Sequence, residues 1–277
     1  MTRVDPIASS NGSGNRDAGC ALVTGGGRGI GAAIARALAA EGWAVAVNYR
    51  SDADAAGAVV DGIVDAGGHA IAVQGDVADA GDVERVFDTL EAELGPALVL
   101  VNNAGIRADR LTAQLTDDEW ARVVDVNLSG AYHTIHRALG KMVRKRFGRI
   151  VNISTVSAAR PLPGQACYAA SKAGIEALTR AVAIEVARRG VTINAIQPGL
   201  VLTDFTAEMT EDAAAVVPAR RTAAPEEIAA LVRFLASEDA GYITGAVIPI
   251  DGGLSAGLAT FSRPAQVSAG QEVAATR

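Results

Sequence analysis

Short apolar runs rich in β-branched residues recur at Cys20 to Thr24, Ala44 to Asn48, Ala70 to Gln74, Leu98 to Asn102, Arg149 to Ser154, Val191 to Gln197 and Ala246 to Ile250. They lack apolar/polar alternation, so they read as strands buried on both faces of a parallel sheet. The stretches between them have helical spacing. Ile30, Ile34 and Leu38 repeat every fourth residue, and Val83, Val86, Phe87, Leu90 and Leu94 follow the i, i+3, i+4, i+7, i+11 pattern. Thr116 and Glu119 occupy capping-box positions ahead of Trp120, Val123 and Val124, and Pro225 stands at a first helical position ahead of Ile228, Leu231, Val232 and Leu235. Strand and helix alternate along the chain, which predicts an α/β fold: a doubly wound, seven-stranded parallel sheet with helices on both faces.

Composition bounds the rest. With 277 residues, 49% of them hydrophobic and 20% charged, the chain can bury a sizeable core. Residues 1–18, rich in Ser, Asn and Gly, read as a disordered N-terminal tail. Residues 257–277 read as a mobile C-terminal tail, which leaves 19–256 as a single catalytic domain. No apolar run is long enough for a membrane span and the N-terminus has no signal-like apolar region, so no membrane partner and a cytoplasmic location are expected. Cys20 and Cys167 make no disulfide framework, and neither clusters with His69, His133 or His136, so no metal is expected. A net charge of -6 argues against general nucleic-acid binding.

The strand ending at Thr24 runs into GGGRGIG, with Gly25, Gly29 and Gly31 opening the helix that carries Ile34. Glycine permits the tight turn, and the helix N-terminus offers unpaired N–H groups to a pyrophosphate, so a Rossmann-type dinucleotide site is implied. At the end of the next strand an NAD enzyme usually carries a carboxylate for the ribose hydroxyls, whereas this chain reads Asn48, Tyr49, Arg50, Ser51. Arg28 and Arg50 can clamp a 2′-phosphate, which favours NADPH. The competing reading makes both arginines solvated surface charges, and the nearby Asp52 and Asp54 weigh towards it.

Tyr168 and Lys172 stand four apart on a predicted helix from Tyr168 to Arg189, on one face. Spacing alone does not distinguish catalysis from surface decoration. Taken with TGGGRGIG, with NNAG at Asn102 to Gly105, with Asn127 and with Pro198–Gly199, the pair occurs in an order that resembles the classical short-chain dehydrogenase/reductases. The resemblance covers about Gly19 to Ala256. GIRADRL, GQACYAASKAG, GVTINAIQPG and DAGYITGAVIPIDGG are most similar to the 3-oxoacyl-[acyl-carrier-protein] reductases.

That resemblance implies Tyr168 as general acid in ketone reduction, with Lys172 lowering its pKa and holding the nicotinamide ribose. It implies that Asn127 holds a water linking Lys172 to solvent, against the plainer alternative of an amide bonded to a carbonyl. Cofactor contacts are implied for Thr24, Ile30, Ser51, Asn103, Ala104 and Gly105, for Asp76 and Val77 beside the adenine, and for Pro198, Gly199, Val201 and Thr203 beside the nicotinamide. Where the family places a substrate-polarising serine, 13 residues before the tyrosine, this chain has Thr155. Ser154 next to it should turn away, because neighbouring strand residues face opposite sides.

The basic segment Lys141, Arg144, Lys145, Arg146, Arg149, together with Arg188 and Arg189, fits ordinary helix C-termini, where cations complement the dipole. The resemblance adds that Arg146 and Arg189 dock an acidic acyl carrier protein at the pocket mouth. It also implies a homotetramer built through helices around Tyr132 to Arg146 and Tyr168 to Arg189, with Ile135, Leu139, Met142, Ile175, Leu178 and Val182 available for pairing. The implied function is NADPH-dependent reduction of a 3-oxoacyl thioester in fatty acid or polyketide biosynthesis. Two alternatives stay open: a dehydrogenase acting on a free alcohol, sugar or steroid, and a non-catalytic dinucleotide sensor on the same fold.

Overall fold

A computed structural model of the chain describes residues 19–203 and 211–257. The expected tails lie outside those residues, Gly257 aside. Seven strands form one sheet: β1 (Cys20–Val23), β2 (Ala44–Tyr49), β3 (Ala70–Gln74), β4 (Ala97–Asn102), β5 (Gly148–Ile153), β6 (Val191–Pro198) and β7 (Val247–Ile250). Their order is β3-β2-β1-β4-β5-β6-β7, and every neighbouring pair is parallel. The sheet is the one the apolar runs predict, with ends shifted by a residue.

The helices are α1 (Gly29–Ala40), α2 (Ala53–Asp65), α3 (Ala80–Glu93), α4 (Asp117–Val124), α5 (Gly130–Lys145), α6 (Ala166–Val186) and α7 (Pro225–Leu235). On one face α1 packs against α2 and α7, and on the other α5 packs against α3 and α6. Both layers are sealed by apolar side chains: Leu22, Ile34, Phe87, Leu100, Ile150 and Ile193 are fully buried. The Thr116–Glu119 capping box starts α4, and Pro225 is the first residue of α7. Strand order runs outward in opposite directions on either side of β1, so the crevice between the carboxyl ends of β1 and β4 is the switch point where ligands bind in such sheets.

Three expectations need correction. The helix bearing Tyr168 begins at Ala166, and beyond Val186 it tightens into a 3₁₀ turn, Ala187–Arg189. Arg149 leaves the basic patch: it is buried on β5, donates to the carbonyls of Ser237, Gly148 and Gly190 at 3.0, 3.0 and 3.2 Å, and lies over the Phe147 ring. Burial lowers its pKa, and three carbonyls take the place of water around its charge. Finally, Ile135, Met142, Ile175 and Val182 are buried in the core and are used within the chain, while Leu139 and Leu178 pack against it and stay partly exposed. The exposed large apolar residues of α5 and α6 are Tyr132 and Ile184, at 51% and 82% accessibility.

Candidate active site

The site grows from the ends of β1 and β4. The Thr24 hydroxyl accepts from the N–H groups of Asn103 and Ala104, both at 3.0 Å, and the Asn103 amide donates to the carbonyls of Thr24 and Gly25, also at 3.0 Å. Thr24 therefore ties the two loops together from behind, and is the one expected cofactor residue that does not line the cleft. Gly25 and Gly29 adopt positive φ, 60° and 52°, which side chains disfavour. A Cβ on Gly31 would lie 2.5 Å from the Asn103 amide nitrogen and closer still to the Gly25 carbonyl, so the turn accepts no side chain there.

A cleft of about 450 Å³ runs across these loops. It is lined by Gly25, Arg28, Gly29, Ile30, Gly31, Arg50, Ser51, Asp76, Val77, Asn103, Ala104, Gly105, Thr155, Tyr168, Lys172, Pro198, Gly199, Val201 and Thr203. A dinucleotide fits this cradle. The N-terminus of α1 has no side-chain cap and no acidic residue in its first turn, which leaves its N–H groups and dipole for an anion. Arg28 and Arg50 stand exposed on the cleft wall, while Asp52 is spent capping α2 through the Ala55 N–H at 3.0 Å. Thr203 faces Gly29 across the cleft, close enough for its Cγ2 to lie 3.3 Å from a Cβ there.

At the other end, Tyr168 is half-buried on the first turn of α6 and hydrogen-bonded to the Thr155 side chain. Desolvation raises its hydroxyl to about 12, against opposing contributions from that hydrogen bond and from the Arg107 charge. Lys172 is buried one turn on, and its Nζ donates to the Ile153 carbonyl at 2.7 Å and lies 5.9 Å from the centre of the Tyr168 ring. Burial depresses the Lys172 ammonium to about 8. The net shift of the tyrosine is therefore upward, with desolvation outweighing the lowering contributions. Desolvation is the largest influence on both groups, and it favours a neutral phenol.

Thr155 is extended, with its Oγ1 accepting from the Ser157 N–H at 3.2 Å, and it faces the cleft. The Ser154 hydroxyl turns to α6, where it donates to Glu176 Oε1 at 2.7 Å and to the Lys172 carbonyl at 3.4 Å. Asn127 sits in a π-helical turn, Asp125–Ser129, between α4 and α5. Its amide donates to the Ile106 carbonyl (2.9 Å) and Ser171 Oγ (3.0 Å), and its oxygen accepts from the Ile106 N–H (2.8 Å). The side chain is thereby committed to protein groups, which matches the plainer alternative for this residue. Its oxygen and the Lys172 Nζ each lie 3.4 Å from the Cβ position of Gly105, so a glycine keeps open the space between them.

Arg146 and Arg189 do not flank the mouth of this pocket. They precede β5 and β6, at the amino ends of strands whose carboxyl ends carry the cleft, on the opposite edge of the sheet. They do lie together, since the Arg146 guanidinium donates to the Arg188 carbonyl at 3.4 Å. Sequence reasoning missed Arg107, which lines the cleft beside Tyr168, and Arg122, which reaches Asp76 from α4. Arg107 stands two residues after Gly105 of the NNAG loop and so carried a positional signal, whereas Arg122 had none.

A family described as Enoyl-(Acyl carrier protein) reductase matches residues 25–255. The 3-oxoacyl-[acyl-carrier-protein] reductase FabG of Staphylococcus aureus is 44% identical over 238 residues, covering 84% of this chain and 97% of the relative. The reductase MabA of Mycobacterium bovis is 42% identical over 240 residues, covering 85% and 92%. Among solved structures, a putative gluconate dehydrogenase from Agrobacterium tumefaciens superposes with a TM-score of 0.82 at 34% identity, covering 86% of this chain and 96% of that one. With a family match over residues 25–255 and relatives above 40% identity over more than four fifths of its length, the chain belongs to the short-chain dehydrogenase/reductase family.

Proposed function

We propose that this chain reduces a 3-oxoacyl thioester on an acyl carrier protein to the 3-hydroxyacyl thioester, using NADPH, in fatty acid or polyketide biosynthesis. The observation that carries the reading is the grouping of Thr155, Tyr168 and Lys172 at one end of a dinucleotide-shaped cleft, in a chain 44% identical to a 3-oxoacyl-[acyl-carrier-protein] reductase. NADPH is favoured by Arg28 and Arg50 on the cleft wall and by the absence of a carboxylate at Tyr49.

Arg28, Arg50 and the α1 N-terminus would hold the phosphates, and Lys172 and Thr203 would hold the nicotinamide end. When bound, NADPH supplies the hydride that reaches the keto carbon. The Thr155 hydroxyl donates to the keto oxygen and fixes its position. Tyr168 then passes its proton to that oxygen as the C=O bond becomes C–OH, and Lys172 stabilises the phenolate that remains. A tyrosine held neutral by desolvation is in the protonation state that reduction requires.

Residues 19–256 act as one catalytic domain, supported by a single sheet from Cys20 to Ile250. A homotetramer paired through α5 and α6 is favoured by exposed Tyr132 and Ile184. Because Arg146 and Arg189 sit at the far edge of the sheet, they receive the carrier for the pocket of another copy. No described helix is long and apolar enough to cross a membrane, which fits a cytoplasmic enzyme. The free-alcohol reading draws its support from the solved structure named a putative gluconate dehydrogenase. NADPH oxidation with acetoacetyl groups on carrier protein and on a small free thiol decides between them: carrier-bound turnover at lower KM supports the proposal, and turnover of sugar acids alone overturns it.

A further inference from the structure

The register of β2 and β3 places two opposite charges, Arg50 and Asp76, side by side on the cleft wall. Tyr49 pairs with Gln74, and the Gly75 N–H donates to the Tyr49 carbonyl at 2.9 Å, so Arg50 and Asp76 leave adjacent strands together on the cleft wall. A carboxylate here works against binding of a 2′-phosphate twice over. It repels the dianion, and it competes for Arg50, whose Nη1 is 4.0 Å from Asp76 Oδ2.

Asp76 is held in place from several sides. Its N–H donates to Asp82 Oδ2 at 2.9 Å, its Oδ1 accepts from the Ala78 N–H at 3.0 Å, and its Oδ2 accepts from Arg122 Nη2 at 2.8 Å. Arg122 comes from α4, 46 residues away in sequence, and its side chain remains 41% exposed. Burial pushes the Asp76 carboxyl up, but the Arg122 bond, the Ala78 N–H and the two guanidinium charges outweigh it, and the group stays ionised. Of the other acids nearby, Asp52 and Asp79 cap α2 and α3, Asp82 pairs with Arg85, and Asp54 stands in the first turn of α2, beside that helix's N-terminal dipole.

We propose that Arg122 is a positioning residue for cofactor choice: by pairing with Asp76 it neutralises the carboxylate that contacts Arg50 and frees Arg50 for the 2′-phosphate. The inference rests on the NADPH reading above. Without Arg122, Asp76 draws Arg50 to itself, and the pair is left with no net positive charge for the phosphate. NADH, which lacks that phosphate, loses little.

Calorimetric titration of the full chain with adenosine 2′,5′-bisphosphate and with 5′-AMP isolates the effect from catalysis, and NADPH and NADH titrations extend it. Wild type is expected to bind the 2′-phosphorylated ligands more tightly. Arg122→Gln is expected to weaken them roughly fivefold, the upper range for a partly exposed pair, while 5′-AMP and NADH change less than about twofold. Asp76→Asn in the same chain as Arg122→Gln is expected to restore the preference, an outcome that damage to α4 would not give. Thermal melts of each variant verify folding. The inference is overturned if Arg122→Gln leaves the preference intact, if it weakens both ligand classes equally, or if the double variant gives no rescue. A wild type without preference for the 2′-phosphate overturns the NADPH reading itself.

Discussion

Lys172 stands one helical turn after Tyr168, with its Nζ 5.9 Å from the centre of the tyrosine ring, and burial drives their pKa values apart, down to about 8 for the lysine and up to about 12 for the tyrosine. The proton needed for reduction is therefore on Tyr168 throughout the neutral range, and the charge needed beside it is on Lys172 only below about pH 8. We expect kcat/KM for ketone reduction to be flat from about pH 6 to 7.5 and to fall above pH 8 as Lys172 loses its proton. The reverse oxidation, which starts from the phenolate, is expected to rise over the same range. A reduction rate that climbs through pH 9 would contradict the assignment.

The same burial has a consequence for stability. Lys172 binds its proton less tightly in the folded chain, about 8, than at its ordinary value of 10.5, so the unfolded chain holds more protons between those values. The penalty is fully present below about pH 8 and disappears as the pH rises towards 10.5. Its size is about 3 kcal/mol, less what the Ile153 hydrogen bond returns. Lys172→Met is expected to be inactive yet more stable than wild type by about 1–3 kcal/mol at pH 7, with the gain fading by pH 10. Denaturant melts at both pH values measure it.

Thr155 offers its hydroxyl to the cleft and accepts from the Ser157 N–H. Thr155→Ser keeps both functions and is expected to stay within a few-fold of wild-type kcat. Thr155→Val keeps the shape and loses the donor, for an expected loss of about 10²–10³ in kcat. An active valine variant would show that no polarising donor is needed at this position.

The far-edge location of Arg146 makes a specific prediction for mixed oligomers. Arg146→Glu is expected to raise KM for a carrier-bound substrate while sparing a small free thioester. Chains carrying Arg146→Glu, refolded with chains carrying Tyr168→Phe, are expected to recover carrier-dependent turnover well above either parent, because an intact arginine then serves an intact pocket. If Arg146 serves its own chain's pocket, mixing restores nothing.

Much of the architecture was legible because it rests on local pattern. The uninterrupted apolar runs mark strands buried on both faces, and Gly25, Gly29 and Gly31 mark a turn that excludes side chains. What escaped is tertiary. Arg149 reads as one more surface cation until Ser237 and Gly190, far along the chain, supply the carbonyls that let it be buried. The apolar positions of α5 and α6 say that a face is buried but not against what, and Met142 and Ile175 turn out to face the chain's own core. The Arg122–Asp76 pair joins segments 46 residues apart and leaves no periodic trace. The swapped orientation of Ser154 and Thr155, by contrast, followed from strand alternation alone.

In the proposed reaction Tyr168 is the proton donor, and Tyr168→Phe removes that proton alone. The variant removes one hydroxyl from α6 and leaves the glycine turn, Arg28, Arg50 and Lys172 in place. Single-turnover reduction of an acetoacetyl thioester at pH 7, with NADPH affinity measured in parallel by fluorescence, separates chemistry from binding. The expected result is a rate about 10²–10⁴ below wild type with cofactor affinity nearly unchanged. A Tyr168→Phe variant that binds NADPH normally and retains most of its rate would contradict the mechanism.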